Sequence, residues 1–569
     1  MSKFLRINMT SGSVNYEEIK EDYLFFGGRG LIAKLMSDEV NPQADPLGPD
    51  NKLIICTGLL AGSSAPSAGR LSVGGKSPLT GTIKEANAGG VAGGMLARLG
   101  IKAIIIEGRA DAGWFILKLS QDKAELIPAD RYAGMNNYAL VDALKELHGA
   151  KTGVISIGAA GERGYRNASV QITDTEGRPC RAAARGGLGA VMGSKKLKAI
   201  VLEPGATQPA YADKEKFTAA MRGYTNAIKT HPLSGEALPA LGTPVLVNIV
   251  NSMGALPTRN FTSGNFEAAE QISGENLAKL QAERGGKLGH PCQSGCVIAC
   301  SNVYHDADGN YLTAGFEYET IGMNGSNCAI SDLDTIAQID RFCDDLGMDT
   351  METGATIGVC MEAGKIPFGD GPAALGLLQE MADGTELGQL LGQGTKITGA
   401  ELGVTRIPTV KGQAMAAYDP RALKGTGVTY ATCPMGADHT AGNALGNPTV
   451  DPTKKDGQVQ VSGTLQVGIA TFDNLGMCIF SGFASEDPAN AAHLVDMMAG
   501  LYGGEWSPDR LFGTGVQTIL LEKDFNTKAG FTAADDKLPS FCYTEALPPT
   551  NSAFDLADDE IAATLQFGG

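Results

Sequence analysis

Three cysteines, Cys292, Cys296 and Cys300, stand with three residues between each pair. On a helix that spacing lines one face, the arrangement of inert core thiols. Pro291 and Gly295 argue against a regular helix here, so the row reads as metal ligands. Three local thiolates need a fourth ligand to hold a [4Fe–4S] cluster, and four thiolates also suit zinc. The spacing leaves both open. Two later segments echo each other: Asp344-Asp345-Leu346-Gly347-Met348-Asp349 and Asp473-Asn474-Leu475-Gly476-Met477-Cys478. They share Asp-x-Leu-Gly-Met, and Cys478 replaces Asp349 at the end. Cys478 is therefore the candidate fourth ligand. Asp344 and Asp473 read either as helix-end caps or as acceptors of N–H bonds from a flat heterocycle. Two such units suit two similar objects, or two halves of one symmetric object.

The surrounding chain must position these groups. It has 569 residues, enough for two to four domains, and its 43% apolar and 19% charged content is that of a soluble globular protein. The net charge of −17 excludes a nucleic-acid binder, which needs a dominant basic face. No apolar signal region follows Met1 to Arg6, and no stretch approaches the ~20 apolar residues of a membrane span. These features predict a cytoplasmic protein. In that compartment eleven cysteines do not form a disulfide framework.

Residues 1–205 read as a β-rich domain. Phe4–Met9 and Val14–Ile19 form a predicted hairpin, followed by strands at 52–57, 103–107, 114–117, 153–157 and 198–202. Short helices fit 28–39 and 136–148. Three glycine-rich phrases interrupt the domain: Ala65 to Arg70, Asn87-Ala88-Gly89-Gly90 to Gly94, and Arg181-Ala182-Ala183-Ala184-Arg185-Gly186-Gly187 to Gly189. They read either as tight turns or as anion cradles, with free N–H groups beside an arginine fork. Past a linker at 204–209 the pattern turns helical, giving two predicted helical domains, 206–405 and 406–569, each with one Asp-Leu-Gly-Met unit. Ser331 is the predicted cap of the helix that Gly347 ends. The fold class is α+β multidomain: a β-rich base followed by two mainly helical domains.

Together these motifs resemble the tungsten-containing aldehyde ferredoxin oxidoreductase family over most of the length. The resemblance rests on Arg70 in its phrase, Ser77-Pro78-Leu79-Thr80-Gly81, Asn87 to Gly94, Arg185 to Lys195, the cysteine triplet, Phe316-Glu317-Tyr318-Glu319-Thr320, and both Asp units. It implies a tungsten or molybdenum bis-pyranopterin enclosed by the three domains, with Asp344 and Asp473 on the pterin rings and Asp349 and Cys478 closing the units. It places Arg70 between a [4Fe–4S] cluster and a pterin. Carbonyls of Asn87 and Ala182 are implied ligands of a Mg2+ ion, an oxygen-seeking cation. Two departures stand out: the family triplet has a shorter first gap, and no Glu-x-x-His pair is present for an iron between subunits.

The implied reaction converts aldehyde and water into carboxylic acid, two protons and two electrons. Glu319 is the implied active-site carboxylate, expected in a dry pocket with a raised pKa as a general base. Its bland reading is a helix-surface carboxylate. His439, one of six histidines, sits in a turn ahead of the second Asp unit, where it can polarise a carbonyl or relay a proton. The implied partner is ferredoxin or a ferredoxin-like iron–sulfur subunit, in an oligomer with electron-transfer subunits. Lys279, Arg284 and Lys287 precede the cysteines as a candidate docking patch. Two alternatives remain: reduction of an aromatic acyl-CoA thioester, and a non-catalytic iron–sulfur electron-transfer subunit.

Overall fold

The computed structural model describes residues 2–566. The first two hundred residues form two six-stranded sheets. One contains β1 (Lys3–Asn8), β2 (Ser13–Glu18), β3 (Leu53–Thr57), β4 (Leu71–Lys76), β5 (Ile83–Ala88) and β6 (Ile101–Glu107), ordered β2-β1-β6-β3-β4-β5. The other contains β7 (Phe115–Leu119), β8 (Ala124–Pro128), β9 (Gly153–Ser156), β10 (Val170–Ile172), β11 (Arg181–Ala183) and β12 (Leu197–Leu202), ordered β8-β7-β12-β9-β10-β11. The two orders correspond strand for strand. In each sheet a single pair is parallel, β1 with β6 and β7 with β12, and the others are antiparallel. Each also carries a helix after its second strand, Gly28–Glu39 or Asn137–His148. The base is one unit built twice.

Alternation explains how the sheets pack. Leu53 and Ile55 face a core shared by both sheets, while Ile54 and Cys56 face the Gly28–Glu39 helix. In the second sheet Ile155 faces the shared core, and Val154 meets the Asn137–His148 helix. Strands buried on both faces read as continuous apolar runs, which is why these were legible.

The rest is mainly helical, with a three-stranded sheet of Lys287–His290, Ser301–His305 and Tyr311–Ala314 that brackets the cysteine row and a two-stranded one of Thr409–Val410 and Gln413–Ala414. Packing runs across position 405. Helix Lys214–Thr230 lies against Pro488–Tyr502, where a Cβ on Gly500 would come within 2.7 Å of Phe217 N. The largest core draws on residues from Ala159 to Ile561. Asp332, rather than Ser331, caps helix Leu333–Leu346, its carboxylate accepting from Thr335 N–H at 2.9 Å. Gly347 ends that helix as predicted, at φ +75°.

Among the described residues no single helix is long and apolar enough to cross a membrane. Pro232–Leu241 and Thr243–Ser252 meet that measure only as a pair, across a 94° bend.

Candidate functional site

Each half of the base grips one Asp-Leu-Gly-Met unit with corresponding main-chain bonds. Arg70 N–H donates to Gly476 O at 3.1 Å, and Ser169 N–H to Gly347 O at 2.9 Å. Cys478 N–H donates to Ser67 O and Asp349 N–H to Asn167 O, both at 2.9 Å. The second residue of each unit caps a base helix: Asn474 Oδ1 accepts from Gly30 N–H at 2.6 Å, and Asp345 Oδ1 from Tyr138 N–H at 2.9 Å. Gly58 and Gly158, just past β3 and β9, allow the approach. A Cβ on Gly58 would lie 2.1 Å from Gly476 N, and one on Gly158 2.3 Å from Leu346 O. Only glycine fits such contacts. The repeated hexapeptide is thus the counterpart of a repeated base.

The strand ladders add a second correspondence. Cys56 pairs with Ser72 and Ser72 with Asn87; Ser156 pairs with Gln171 and Gln171 with Ala182. Asn87 and Ala182 therefore occupy matching positions on the last strand of each sheet. Both line one cavity of about 150 Å³.

That cavity also takes Arg29, Arg70, Arg185 and Asp473 into its walls. A larger depression of about 540 Å³ around Glu39, Lys52 and Glu107 lies elsewhere, and these three charges are paired with one another and with Arg6. Buried polar atoms without a protein partner cluster at the smaller cavity: Arg29 Nη1, Glu85 Oε1 and His439 Nδ1. Across the base Asp344 Oδ2 and Arg181 Nε and Nη2 are likewise unpaired. Buried polar groups are normally satisfied, so these call for a polar ligand. Asp344, Asp349, Arg181, Ala88 and Gly89 do not line the cavity. Burial raises the pKa of Asp344 well above the usual range and that of Asp473 to about 6, against the pull of nearby arginines. Asp349 caps helix Thr350–Glu362 and pairs with Arg185 at 3.3 Å.

Several donors of the second and third glycine phrases are not open to an anion. Gly90 N–H donates to Cys292 O at 2.8 Å, Val91 N–H to Thr173 O at 3.0 Å, and Gly189 N–H to Ala168 O at 3.0 Å. These three donors are already used inside the protein. The second phrase instead lets the cysteine row approach: a Cβ on Gly89 would lie 3.3 Å from Cys292 Sγ.

The cysteine row is irregular, as Pro291 and Gly295 predict, with Gly295 at φ +75°. Ser67 anchors it through Ser67 N–H to Gly295 O and Val297 N–H to Ser67 Oγ. All eleven cysteines are free, and Cys292, Cys296, Cys300 and Cys478 are electrostatic neighbours. A hydrogen bond shared by Cys292 and Cys296 raises the first thiol and lowers the second. Burial raises Cys300 well above its ordinary value and Cys478 to about 11. Four crowded, desolvated thiols cannot all ionise without a positive partner, so the set fits a cationic metal core. Among the described residues no three His, Cys, Asp or Glu side chains converge on a single ion. A polynuclear cluster, which spreads its thiolates around several metal atoms, fits this better than tetrahedral zinc.

Arg70 joins the two regions. Its charge acts on Cys292 and Cys478 on one side and on Asp473 on the other. Its guanidinium also donates to Asn87, through Nε to Oδ1 and Nη2 to the carbonyl at 3.3 Å.

Glu319 and His439 meet directly, with His439 Nε2 3.0 Å from Glu319 Oε1. Tyr418 Oη donates to the same oxygen at 2.9 Å. Burial pushes Glu319 upward, but His439 and the Tyr418 hydroxyl outweigh it and hold the carboxyl below its usual value. The expected raised pKa is therefore corrected: two fixed partners stabilise the anion. His439 lines the cavity, and Glu319 stands behind it, outside the lining, held by His439 and Tyr418 rather than lying free on a helix surface.

The aldehyde ferredoxin oxidoreductase N-terminal domain model matches residues 4–204, and the model of that family's domains 2 and 3 matches residues 219–566. The chain belongs to this family. It is 36% identical to the tungsten-containing aldehyde ferredoxin oxidoreductase of Thermococcus kodakarensis and 35% identical to that of Pyrococcus furiosus. Each alignment covers 96% of this chain and 92% of the relative. In structure it resembles the active-site complex BamBC of benzoyl coenzyme A reductase with 1,5-dienoyl-CoA, at a TM-score of 0.82 and 20% identity, over 99% of this chain and 93% of that one. At that identity the likeness shows the fold alone.

Several buried groups of this aldehyde ferredoxin oxidoreductase family member escape sequence reasoning. Tyr418 is one; its available signal was the charged pair Asp419 and Arg421 inside the apolar run 414–423. Arg29 is another. It is fully buried and forks onto Glu522 at 2.7 and 2.8 Å, with Asp473 3.6 Å away. Removing one partner of a buried pair strands the other charge. Glu522→Ala is expected to cost about 3–5 kcal/mol, read as a lower thermal midpoint, with Glu522→Gln milder. An unchanged midpoint for Glu522→Ala contradicts the pairing.

Proposed function

We propose that this chain oxidises aldehydes to carboxylic acids with a tungsten or molybdenum bis-pyranopterin, and delivers electrons through a [4Fe–4S] cluster to ferredoxin or a ferredoxin-like iron–sulfur subunit. The supporting observation is the Glu319–His439–Tyr418 constellation at a cavity that Arg70 connects to four cysteines. Asp344 and Asp473 would hold the pterin rings, and the matched carbonyls of Asn87 and Ala182 would hold Mg2+, which takes oxygen ligands. Cys292, Cys296, Cys300 and Cys478 would hold the cluster. When bound, the metal–pterin supplies two-electron redox chemistry and the cluster a one-electron relay. The chain's own work is to place water and the carbonyl carbon and to move protons. The Glu319 carboxylate accepts a hydrogen bond from the attacking water and takes its proton, with His439 beside it as a donor that orients it. Tyr418 fixes the carboxylate's orientation.

For the carrier, Lys279 and Lys287 are exposed, Lys287 only 3.9 Å from Glu176, whereas Arg284 is engaged closely by Asp334 at 2.7 Å. The docking patch is therefore reduced to the two lysines and the cysteine row.

Acyl-thioester reduction draws only on a fold-level likeness, and an inert electron-transfer role leaves the half-buried Glu319–His439 pair without purpose. Protein purified anaerobically from cells given both metals is expected to contain tungsten or molybdenum with iron, and to reduce a dye with aldehydes but not consume acyl-CoA thioesters. Iron without either metal, or thioester turnover alone, rejects the reading. Transfer to a protein carrier is expected to slow with rising salt.

A further inference from the structure

Helix Thr350–Glu362 begins beside the cavity and ends near the surface. Thr350, Gly354, Gly358 and Glu362 recur every fourth residue and share one face. They span about 18 Å of helix. Opposite this face stands a row of fully buried asparagines. Asn324 Nδ2 donates to the carbonyls of Thr320 and Thr350, both at 3.0 Å, and Thr320 Oγ1 lies 2.8 Å from Thr350 Oγ1. Thr320 directly follows Glu319. Asn324 Oδ1 has no protein partner and lies 3.0 Å from where a Cβ on Gly354 would stand.

One turn further on, three more unpaired atoms converge. Asn327 Oδ1 and Nδ2 and Asn260 Oδ1 are all buried without a partner. Nδ2 of Asn327 is 2.8 Å, and Oδ1 of Asn260 3.5 Å, from the position a Gly358 Cβ would take. Asn260 Nδ2 then donates to Glu362, the partly exposed end of the row, which also meets Arg406 at 3.4 Å. Asn260 is held there by strained backbone: Arg259, Asn260 and Phe261 have φ of 46°, 51° and 61°. Non-glycine residues rarely occupy that region, and three in succession persist only where the surroundings enforce them.

The glycines let these side chains, and the Met323 carbonyl 2.7 Å from a Gly354 Cβ, pack directly on the helix, and the four unpaired amide atoms beside it call for buried waters as partners. We propose that the Thr350–Gly354–Gly358–Glu362 face floors a buried water file that carries protons from the Glu319 end to the surface at Glu362. The proton role rests on the aldehyde-oxidation reading, in which each turnover releases two protons while two electrons leave through the carrier. The water sites do not rest on it.

The test compares the metal-loaded wild-type enzyme with Asn327→Leu, which replaces the amide by an apolar group of similar size, and with Asn327→Ser, which stays polar. High-resolution crystal structures are expected to show ordered waters bonded to Asn324, Asn327 and Asn260 in the wild type and to lose the Asn327 water in the leucine variant. With metal content equal, Asn327→Leu is expected to lower kcat about tenfold, leave KM unchanged and enlarge the solvent deuterium isotope effect. Asn327→Ser is expected to keep wild-type values. A dry Asn327 site in the wild type overturns the proposal whatever the enzyme oxidises. Waters present, with kcat and the isotope effect unmoved in Asn327→Leu, overturn the proton path. If Asn327→Leu does not fold, Glu362→Leu at the exit is expected to show the same kinetic pair, and its absence overturns the path equally.

Discussion

Glu319→Gln is expected to lower kcat for aldehyde oxidation by about 10²–10⁴-fold, the usual worth of a positioned general base, with tungsten or molybdenum and iron contents unchanged. The amide keeps the shape and can still accept from the Tyr418 hydroxyl at the 2.9 Å contact. It cannot take a proton from water. The structure also sets the pH profile. His439 and Tyr418 depress the Glu319 pKa against the effect of burial. Its contribution to stability is therefore present above the unfolded carboxylate range and is lost as pH falls through the depressed value. The acid limb of kcat/KM accordingly lies below the ordinary carboxylate range. A base held so low is weak on its own, so its strength depends on position: His439 and Tyr418 fix the carboxylate that receives the proton. Removing the imidazole with His439→Gln leaves burial as the larger influence, so the acid limb is expected to move upward while kcat falls. A rate that survives Glu319→Gln, or an acid limb that stays in place in His439→Gln, removes Glu319 or the pairing from the mechanism.

The repeated Asp-Leu-Gly-Met hexapeptide was legible because both copies meet the same constraint. Gly476 and Gly347 close helices beside a base that offers matching donors, Arg70 N–H and Ser169 N–H. The base's own duplication was not legible. Its halves keep strand order and ladder register but not side chains: Cys56 corresponds to Ser156, and Asn87 to Ala182. Main-chain bonds define the repeat, and main-chain bonds carry no sequence signature. The same limit hid strands β4, β5 and β11, which are rich in Gly, Lys, Ala and Arg and owe their conformation to neighbours rather than to propensity, and β8 and β10 were missed with them. Buried ion pairs were hidden for a different reason. Arg29 and Glu522 are 493 residues apart, and nothing local distinguishes either from a surface charge. The glycine phrases show the reverse error. Their composition suggested free donors, whereas tertiary packing had consumed several of those donors on Cys292, Thr173 and Ala168 carbonyls.

The same correspondence makes Cys478 the most informative cysteine to change. Asp349 stands at its equivalent position, and both residues donate N–H to the base at 2.9 Å. Cys478→Asp therefore copies a side chain that the fold already accepts at the other unit. The expected result is a folded, soluble protein with a wild-type far-ultraviolet spectrum that has lost the broad visible absorbance of an iron–sulfur centre. Iron per chain falls in step, because a carboxylate is a harder ligand than the thiolate that iron–sulfur centres favour. Transfer to a protein carrier is expected to fall by at least 10–100-fold, the usual scale for disturbing a metal site. Arg70 extends the test. Its cation lies beside Cys292 and Cys478 and favours their ionised form. Arg70→Met should therefore retain iron yet lower the cluster's reduction potential, since a nearby positive charge stabilises the reduced state. Full iron and an unchanged visible spectrum in Cys478→Asp would show that this thiol is not a ligand. The second hexapeptide would then be what the first one is, a main-chain grip beside a buried acid, and the cluster's fourth ligand would lie elsewhere.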